Sequence, residues 1–312
     1  MGLNILVTGG SGYIGSVLVP DLLNEGHKVK VIDNFMYGQT SLAGVCHHKN
    51  LEIVNGDIRD EALMKEALKS SDFIIPLAAL VGAPLCKKDP VGAQTINHDA
   101  IMMMLRLRSK SQAIAMPTTN SAYGSGGHNN FCTEESPLNP MSKYAKDKVS
   151  VEKELMQLEN VISFRLATVF GMSPRMRLDL LVNDFTYRAL RDKFIVLFES
   201  SFKRNYIHVR DISKVFRHSI SKFSDMKNNI YNVGLSEANV SKYELCSVIK
   251  KQIKDFVFID EPIGVDPDQR NYVVSNEKIE STGFSPSVSL EDGIKELIKG
   301  LVMIKNNYHG NI

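Results

Sequence analysis

The strand candidate Asn4–Thr8 passes directly into a turn with glycine at positions 9, 12 and 15, and that turn opens a helical stretch over 12–25 that stops at Gly26. Few features narrow a fold more. A short β-branched run followed by a helical period asks for a strand whose chain turns back over a sheet as a helix. Residues without Cβ permit the tight turn and let another group approach the backbone. The alternation then repeats. Strands are expected at Lys28–Asp33, Leu51–Asn55, 72–77, from 113–116 onward, and at Val161–Leu166, with helices over 62–69, 91–108 and 142–158. Such a pattern predicts an α/β fold: a doubly wound parallel sheet with helices on both faces and ligands beyond the carboxyl ends of the strands.

After residue 166 the alternation weakens, and segments rich in Arg, Asp and Asn appear at 173–184 and 203–211. A chain of 312 residues has room for a second, smaller α/β lobe. The expected division is a first domain over 1–171, to which 207–235 return, and a substrate-binding lobe made mainly of 172–206 and 236–312. Lys+Arg 37 against Asp+Glu 35 leaves a net charge of +2, so bulk charge implies neither nucleic acid nor an anionic membrane as partner. An anionic ligand must be held by a few placed cations. Cys46, Cys86, Cys132 and Cys246 form no C-x-x-C pair or zinc pattern, so reduced thiols and no metal site are expected. No apolar run approaches the ~20 residues of a membrane span, and the amino terminus reads as a strand start. The expectation is a soluble cytoplasmic protein.

Gly9, Gly12 and Gly15 make G-x-x-G-x-x-G, a Rossmann-type dinucleotide turn. Its backbone N–H groups, with Tyr13 and Ile14 inside the turn, would meet a pyrophosphate at the positive end of a helix. Asp33 ends the second strand, beside Asn34, where a carboxylate accepts the adenosine ribose hydroxyls and repels a 2′-phosphate. No Lys or Arg stands between Asn34 and Leu42, so NAD is expected over NADP. The glycine spacing resembles that of the extended short-chain dehydrogenase/reductase family, the NAD-dependent epimerases and dehydratases. By that resemblance Asp57 and Ile58 contact adenine, Leu77, Ala78 and Ala79 line the cofactor at the end of strand four, and Asn97, the family's helix asparagine, is a cofactor contact.

Tyr144 and Lys148 form Y-x-x-x-K on a predicted helix, one turn apart on one face. A free tyrosine, with a pKa about 10, is a poor base at neutral pH; an adjacent ammonium favours its phenolate, and a drop of about 3 units needs roughly 4 kcal/mol. Both residues are expected to contact the cofactor as well. The family's catalytic hydroxyl maps onto Thr119, four residues before the tyrosine of Tyr123-Gly124, with Thr118 and Ser121 as rivals. Family dehydratases carry Asp-Glu after that hydroxyl. Here Asn120 and Ser121 stand there, and neither is a general acid near pH 7, which argues against water elimination.

Arg165-Leu-Ala-Thr168-Val-Phe-Gly171 resembles the family's strand six, with Thr168 in place of an asparagine. The run 204–211 resembles R-D-Y-I-H-V-x-D, which implies that Arg204 grips a substrate diphosphate and that His208 is structural. Arg270, in Asp-Pro-Asp-Gln-Arg, is a second phosphate candidate, since a guanidinium fork matches phosphate oxygens. The stretches 80–86 and 173–184 resemble a narrower bacterial group, the GDP-manno-heptose 4-dehydrogenases of capsular heptose synthesis. That resemblance adds Val81, Asn120, Ser121, Arg175, Arg177 and Asn183 as substrate contacts. It implies oxidation of the carbon-4 hydroxyl of a nucleotide sugar, with a 4-epimerase or, further off, a non-catalytic NAD-sensing protein as alternatives. The family also implies a homodimer formed by the helices that follow strands four and five.

Overall fold

The computed structural model describes residues 2–125, 131–261 and 270–304. Seven strands form one sheet: β1 Asn4–Thr8, β2 Lys28–Asp33, β3 Leu51–Asn55, β4 Phe73–Pro76, β5 Ala113–Thr119, β6 Val161–Leu166 and β7 Asn229–Val233. Their order is β7-β6-β5-β4-β1-β2-β3 and every pairing is parallel. The order reverses between β1 and β4, which opens a crevice above their carboxyl ends.

Side-chain alternation explains why helices must cover both faces. Ile5 and Val7 of β1 enter a core with Leu18, Leu22 and Phe216, from helices Gly15–Asn24 and Val209–Ser221. Leu6, between them, points the other way into a core with Met64, Met104 and Val151, from helices Glu61–Lys69, Ala100–Leu107 and Lys143–Leu155. Each such fully buried aliphatic side chain contributes about 1.5–3 kcal/mol.

The helix expected over 91–108 is interrupted. Pro90–Gln94 and Ala100–Leu107 are α-helical, but Thr95–Asp99 between them is one wide π turn. The wide turn aims Asn97 at the chain beyond β4, where its side chain accepts from Leu80 N and donates to Leu80 O, both at 2.9 Å. A single-turn widening of this kind is a common device beside a site.

The smaller part has its own core, with Phe170, Val182, Phe185, Leu245, Ile249, Ile294 and Leu297. Strand Lys203–His208 lies there between Thr168–Phe170, which is parallel to it, and Asn239–Ser241, which is antiparallel. Phe194–Leu197 and Val257–Asp260 form a separate parallel pair. The chain between 207 and 235 supplies helix Val209–Ser221 and β7 to the large sheet. Among the described residues, no helix is long and apolar enough to cross a membrane.

Candidate active site

A cleft of about 920 Å³ lies above the carboxyl ends of β1, β4 and β5, with its far wall made by the smaller part. That is the upper end of the usual range for small-molecule sites. Its floor is the glycine turn. Gly9 has φ +67, and a Cβ there would stand 2.6 Å from Ala78 N; a Cβ on Gly15 would stand 2.5 Å from Gly10 Cα. Both glycines are required by the chain's own packing. Gly12 differs, because its Cβ would meet only Gly9 O, at 3.1 Å, and would otherwise occupy the cleft. The helix that follows has no side-chain cap on its first turn. An open glycine before an uncapped helix start fits a diphosphate.

Asp33 closes one end of this floor. Its carboxylate accepts from Ser11 N at 3.0 Å, Phe35 N at 2.9 Å and Gln39 Nε2 at 3.2 Å. Burial raises its pKa, and these donors oppose the rise. Asn34, Asp57, Ile58, Leu77, Ala78, Ala79, Tyr13 and Ile14 also line the cleft. Arg59 binds the Asp57 carboxylate and is the main cause of its lowered pKa. Tyr13 donates from its hydroxyl to Gly171 O at 2.7 Å, joining the glycine turn to the far wall. The backbone cradle and the carboxylate together fit NAD.

Tyr144, Lys148, Thr119 and Ser121 line the opposite end. Ser142 caps the helix of Tyr144 and Lys148 by accepting from Ala145 N at 3.2 Å. Tyr144 and Lys148 share this wall of the cleft. Lys148 Nζ donates to Pro117 O at 3.1 Å, and burial brings its pKa down to about 8. Burial also pushes the Tyr144 phenol up to about 12; Cys86 adds to the rise, while Arg177 and Arg270 oppose it. Burial thus favours the neutral phenol.

The three candidate hydroxyls separate by their partners. Thr118 Oγ1 is drawn behind the strand to Glu152 and to Ser163, each at 3.0 Å. Glu152 is in turn held by Arg165, with its nearest contact 2.6 Å. Thr119 Oγ1 accepts from Ser121 N at 3.1 Å and donates to Ser121 Oγ at 3.1 Å, and Arg270 donates to Ser121 Oγ. Thr119, Ser121 and Arg270 are therefore one chain of contacts on the cleft wall. Arg204, 3% exposed, lines the same wall, as do Val81 and Thr168. The remainder of the Asp-Pro-Asp-Gln run, 266–269, and the tail beyond 304 lie outside the described residues.

Three assignments are corrected by placement. Asn183 is fully buried away from the cleft. It accepts from Gly171 N at 2.9 Å and donates to Arg177 O at 2.8 Å and to Tyr13 at 3.3 Å, so it shapes the wall rather than touching a ligand. Asn97 likewise is buried and off the cleft lining, bonded to Leu80 and to Cys86 Sγ. Asn120 is 1% exposed and does not line the cleft; its side-chain amide atoms have no hydrogen-bond partner. Arg177 does line the cleft, paired to Asp179 at 3.1 Å through Nε, and Arg175 lies toward the Asp33 end. Tyr37, Gln39 and Asp184 also line the cleft without having been marked in the sequence, and burial raises the Asp184 carboxyl to about 6. Only the spacing of Tyr37 and Gln39 just past Asp33 was available as a signal.

The family model described as the NAD dependent epimerase/dehydratase family matches residues 5–234. The chain belongs to that family. As a family member it is an enzyme that depends on NAD. It is 26% identical over 312 residues to the low-salt glycan biosynthesis protein Agl12 of Haloferax volcanii, covering 95% of this chain and 97% of that one. It is 29% identical over 307 residues to UDP-glucuronic acid decarboxylase 6 of Arabidopsis thaliana, covering 94% and 87%. Among solved structures, UDP-glucose 4-epimerase from Thermotoga maritima with UDP-glucose superposes with a TM-score of 0.84 at 25% identity, over 96% and 99% of the two chains.

Proposed function

We propose that this epimerase/dehydratase-family enzyme oxidises the carbon-4 hydroxyl of a nucleotide-diphosphate sugar. The observation that carries the reading is the meeting of Tyr144, Lys148 and Thr119 in one cleft, between the dinucleotide turn and the arginines Arg204 and Arg270. The relatives named as a UDP-glucose 4-epimerase and a UDP-glucuronic acid decarboxylase support a nucleotide sugar. Inversion at carbon 4 and loss of a carboxylate β to carbon 4 are both opened by a ketone at carbon 4.

NAD, held by the glycine turn and Asp33, would supply the two-electron acceptor for the hydrogen on carbon 4. Tyr144 Oη, as phenolate, accepts the hydroxyl proton, so that alcohol plus NAD gives ketone plus NADH and a proton. Lys148, charged below about pH 8, favours the phenolate electrostatically and would hold the cofactor ribose. Thr119 Oγ1 orients the sugar oxygen. Arg204 and Arg270 bind the diphosphate. Asn120 and Ser121 offer no acid for water elimination.

The narrower reading is release of the 4-keto sugar from a GDP-manno-heptose, feeding surface-polysaccharide synthesis. It is supported by the likeness of 80–86 and 173–184 to the GDP-heptose 4-dehydrogenases. A second reading, a 4-epimerase that returns the hydride, is favoured by the Thermotoga maritima neighbour. The test is incubation with GDP- and UDP-sugars, following NADH absorbance and product by NMR. Accumulating NADH and a 4-keto GDP-sugar is the expected result. An inverted sugar without ketone would replace it with the epimerase, and no turnover of any nucleotide sugar would sink both.

A further inference from the structure

We propose that Arg175, stacked on Tyr37, is a clasp for the NAD molecule, reaching from the smaller part across the diphosphate and adenosine-ribose end, and is not a contact of the sugar nucleotide. The inference goes beyond the carbon-4 reading and does not depend on which sugar is used.

The segment that carries Arg175 is stitched to the dinucleotide turn. Tyr13 donates to Gly171 O at 2.7 Å, Ser173 Oγ donates to Tyr13 O at 2.7 Å, the Ser16 and Ser173 hydroxyls are 2.8 Å apart, and Arg175 N donates to Ser16 Oγ at 3.3 Å. Ser16 lies in the first turn of the helix whose start faces the cleft. Arg175 is thereby anchored beside the positive end of that helix, and its guanidinium extends onward to Tyr37. The guanidinium carbon is 4.6 Å from the Tyr37 ring centroid, and Nη1 donates to Met176 O. It is close enough to Asp33 to oppose the rise of that carboxyl. Asp33, Tyr37 and Arg175 all line the cleft at one end.

The opposite end has its own cations. Arg270 contacts Ser121 beside Thr119, and Arg204 lines that wall. The cleft thus has Arg175 beside Asp33 and Arg270 beside Ser121, and two diphosphates must be seated in it, one from the dinucleotide and one from the substrate. Arg177 is neutralised locally by Asp179. Arg175 is 7% exposed, and burial together with Arg177 disfavours its charge. A desolvated guanidinium held over an aromatic ring is prepared for an anion at that end, because charge-assisted bonds strengthen where water is excluded.

Titration of cofactor-free protein with NAD and with ADP-ribose, read by calorimetry, tests the clasp. GDP and UDP are titrated into the NAD-loaded protein in parallel. Arg175→Ala and Tyr37→Ala are expected to raise the Kd for NAD and ADP-ribose about tenfold or more, while changing the Kd for whichever nucleoside diphosphate the wild type binds by less than twofold. Tyr37→Phe retains the ring and is expected to stay within twofold for both. Arg175 is buried and its alanine variant is open to misfolding, so Tyr37→Ala, at an exposed position, decides the matter if Arg175→Ala does not fold. Unchanged NAD affinity, or equal weakening toward both ligands, overturns the proposal. If the wild type binds neither GDP nor UDP, the carbon-4 reading is damaged while the NAD titrations still judge the clasp.

Discussion

The two ends of the cleft are made of different materials. At the dinucleotide end the decisive atoms are backbone: Gly9 and Gly15 sit where any Cβ collides with main chain, and Gly12 leaves the floor open. At the reacting end the decisive atoms are side chains brought from distant segments, with Tyr144 and Lys148 from one helix, Thr119 from β5, and Arg204 and Arg270 from the far wall. A backbone cradle tolerates little change in sequence but does not care what the chain does elsewhere. A side-chain assembly depends on how the whole chain folds, and its ionisation follows its desolvation.

The largest effect is expected where the reacting end does its chemistry. Tyr144→Phe removes the only proposed base and should lower the single-turnover rate of hydride transfer by about 10³-fold or more, with NAD affinity nearly intact. The pH dependence carries the sign. Burial favours the neutral phenol, up to about 12, while catalysis needs the phenolate, so the wild-type rate should climb with pH. Lys148, brought down to about 8, loses its charge near that pH and with it the support for the phenolate, so the climb should flatten above it. A phenylalanine variant that kept both the rate and the climb would remove Tyr144 from the chemistry.

The next contrast divides packing from ligand approach within the cradle itself. Gly15→Ala drives a methyl to 2.5 Å from Gly10 Cα, and neither backbone is free to move. A loss of about 2–4 kcal/mol is expected, lowering Tm by roughly 3–6 °C. Gly12→Ala meets only Gly9 O at 3.1 Å, so its Tm should stay near wild type while the Kd for NAD rises about tenfold. Thermal melts and NAD titrations of the two variants should therefore rank them in opposite orders. The same order by both measurements would mean that Gly12 is a packing residue like the others.

This difference also explains what was legible. The strands Asn4–Thr8, Lys28–Asp33, Leu51–Asn55 and Val161–Leu166 have the bounds their β-branched runs suggested; all but the edge strand Leu51–Asn55 send buried side chains into the cores on both faces. The cradle was legible for the same local reason. The π turn at Thr95–Asp99 was not, since its cause is a bond from Asn97 to Leu80, seventeen positions away. Asn183 was misread because a buried amide that holds Gly171 and Arg177 has the same letter as one that touches a ligand. The Lys148–Pro117 bond depends on the tertiary position of β5, which spacing along a helix does not encode. Arg175 was read with the substrate by its place in the chain, yet folding brings it to Asp33.

That last displacement sharpens the comparison where the expected effect is smallest. The stretch 34–42 holds no cation, which favoured NAD over NADP from the local sequence alone. Folding nevertheless sets Arg175 beside Asp33. Selectivity then rests on the Asp33 carboxylate repelling a 2′-phosphate against a nearby guanidinium that would attract it. Asp33→Asn removes the repulsion and leaves the attraction. It also disturbs the contacts to Ser11 N and Phe35 N, a loss common to both cofactors that cancels in the ratio of their affinities. The NAD-to-NADP preference should fall about tenfold in Asp33→Asn, and part of that fall should be reversed when Arg175→Ala is added. A double variant with the same preference as Asp33→Asn alone would place the guanidinium out of reach of the ribose, and would confine cofactor choice to the backbone end of the cleft.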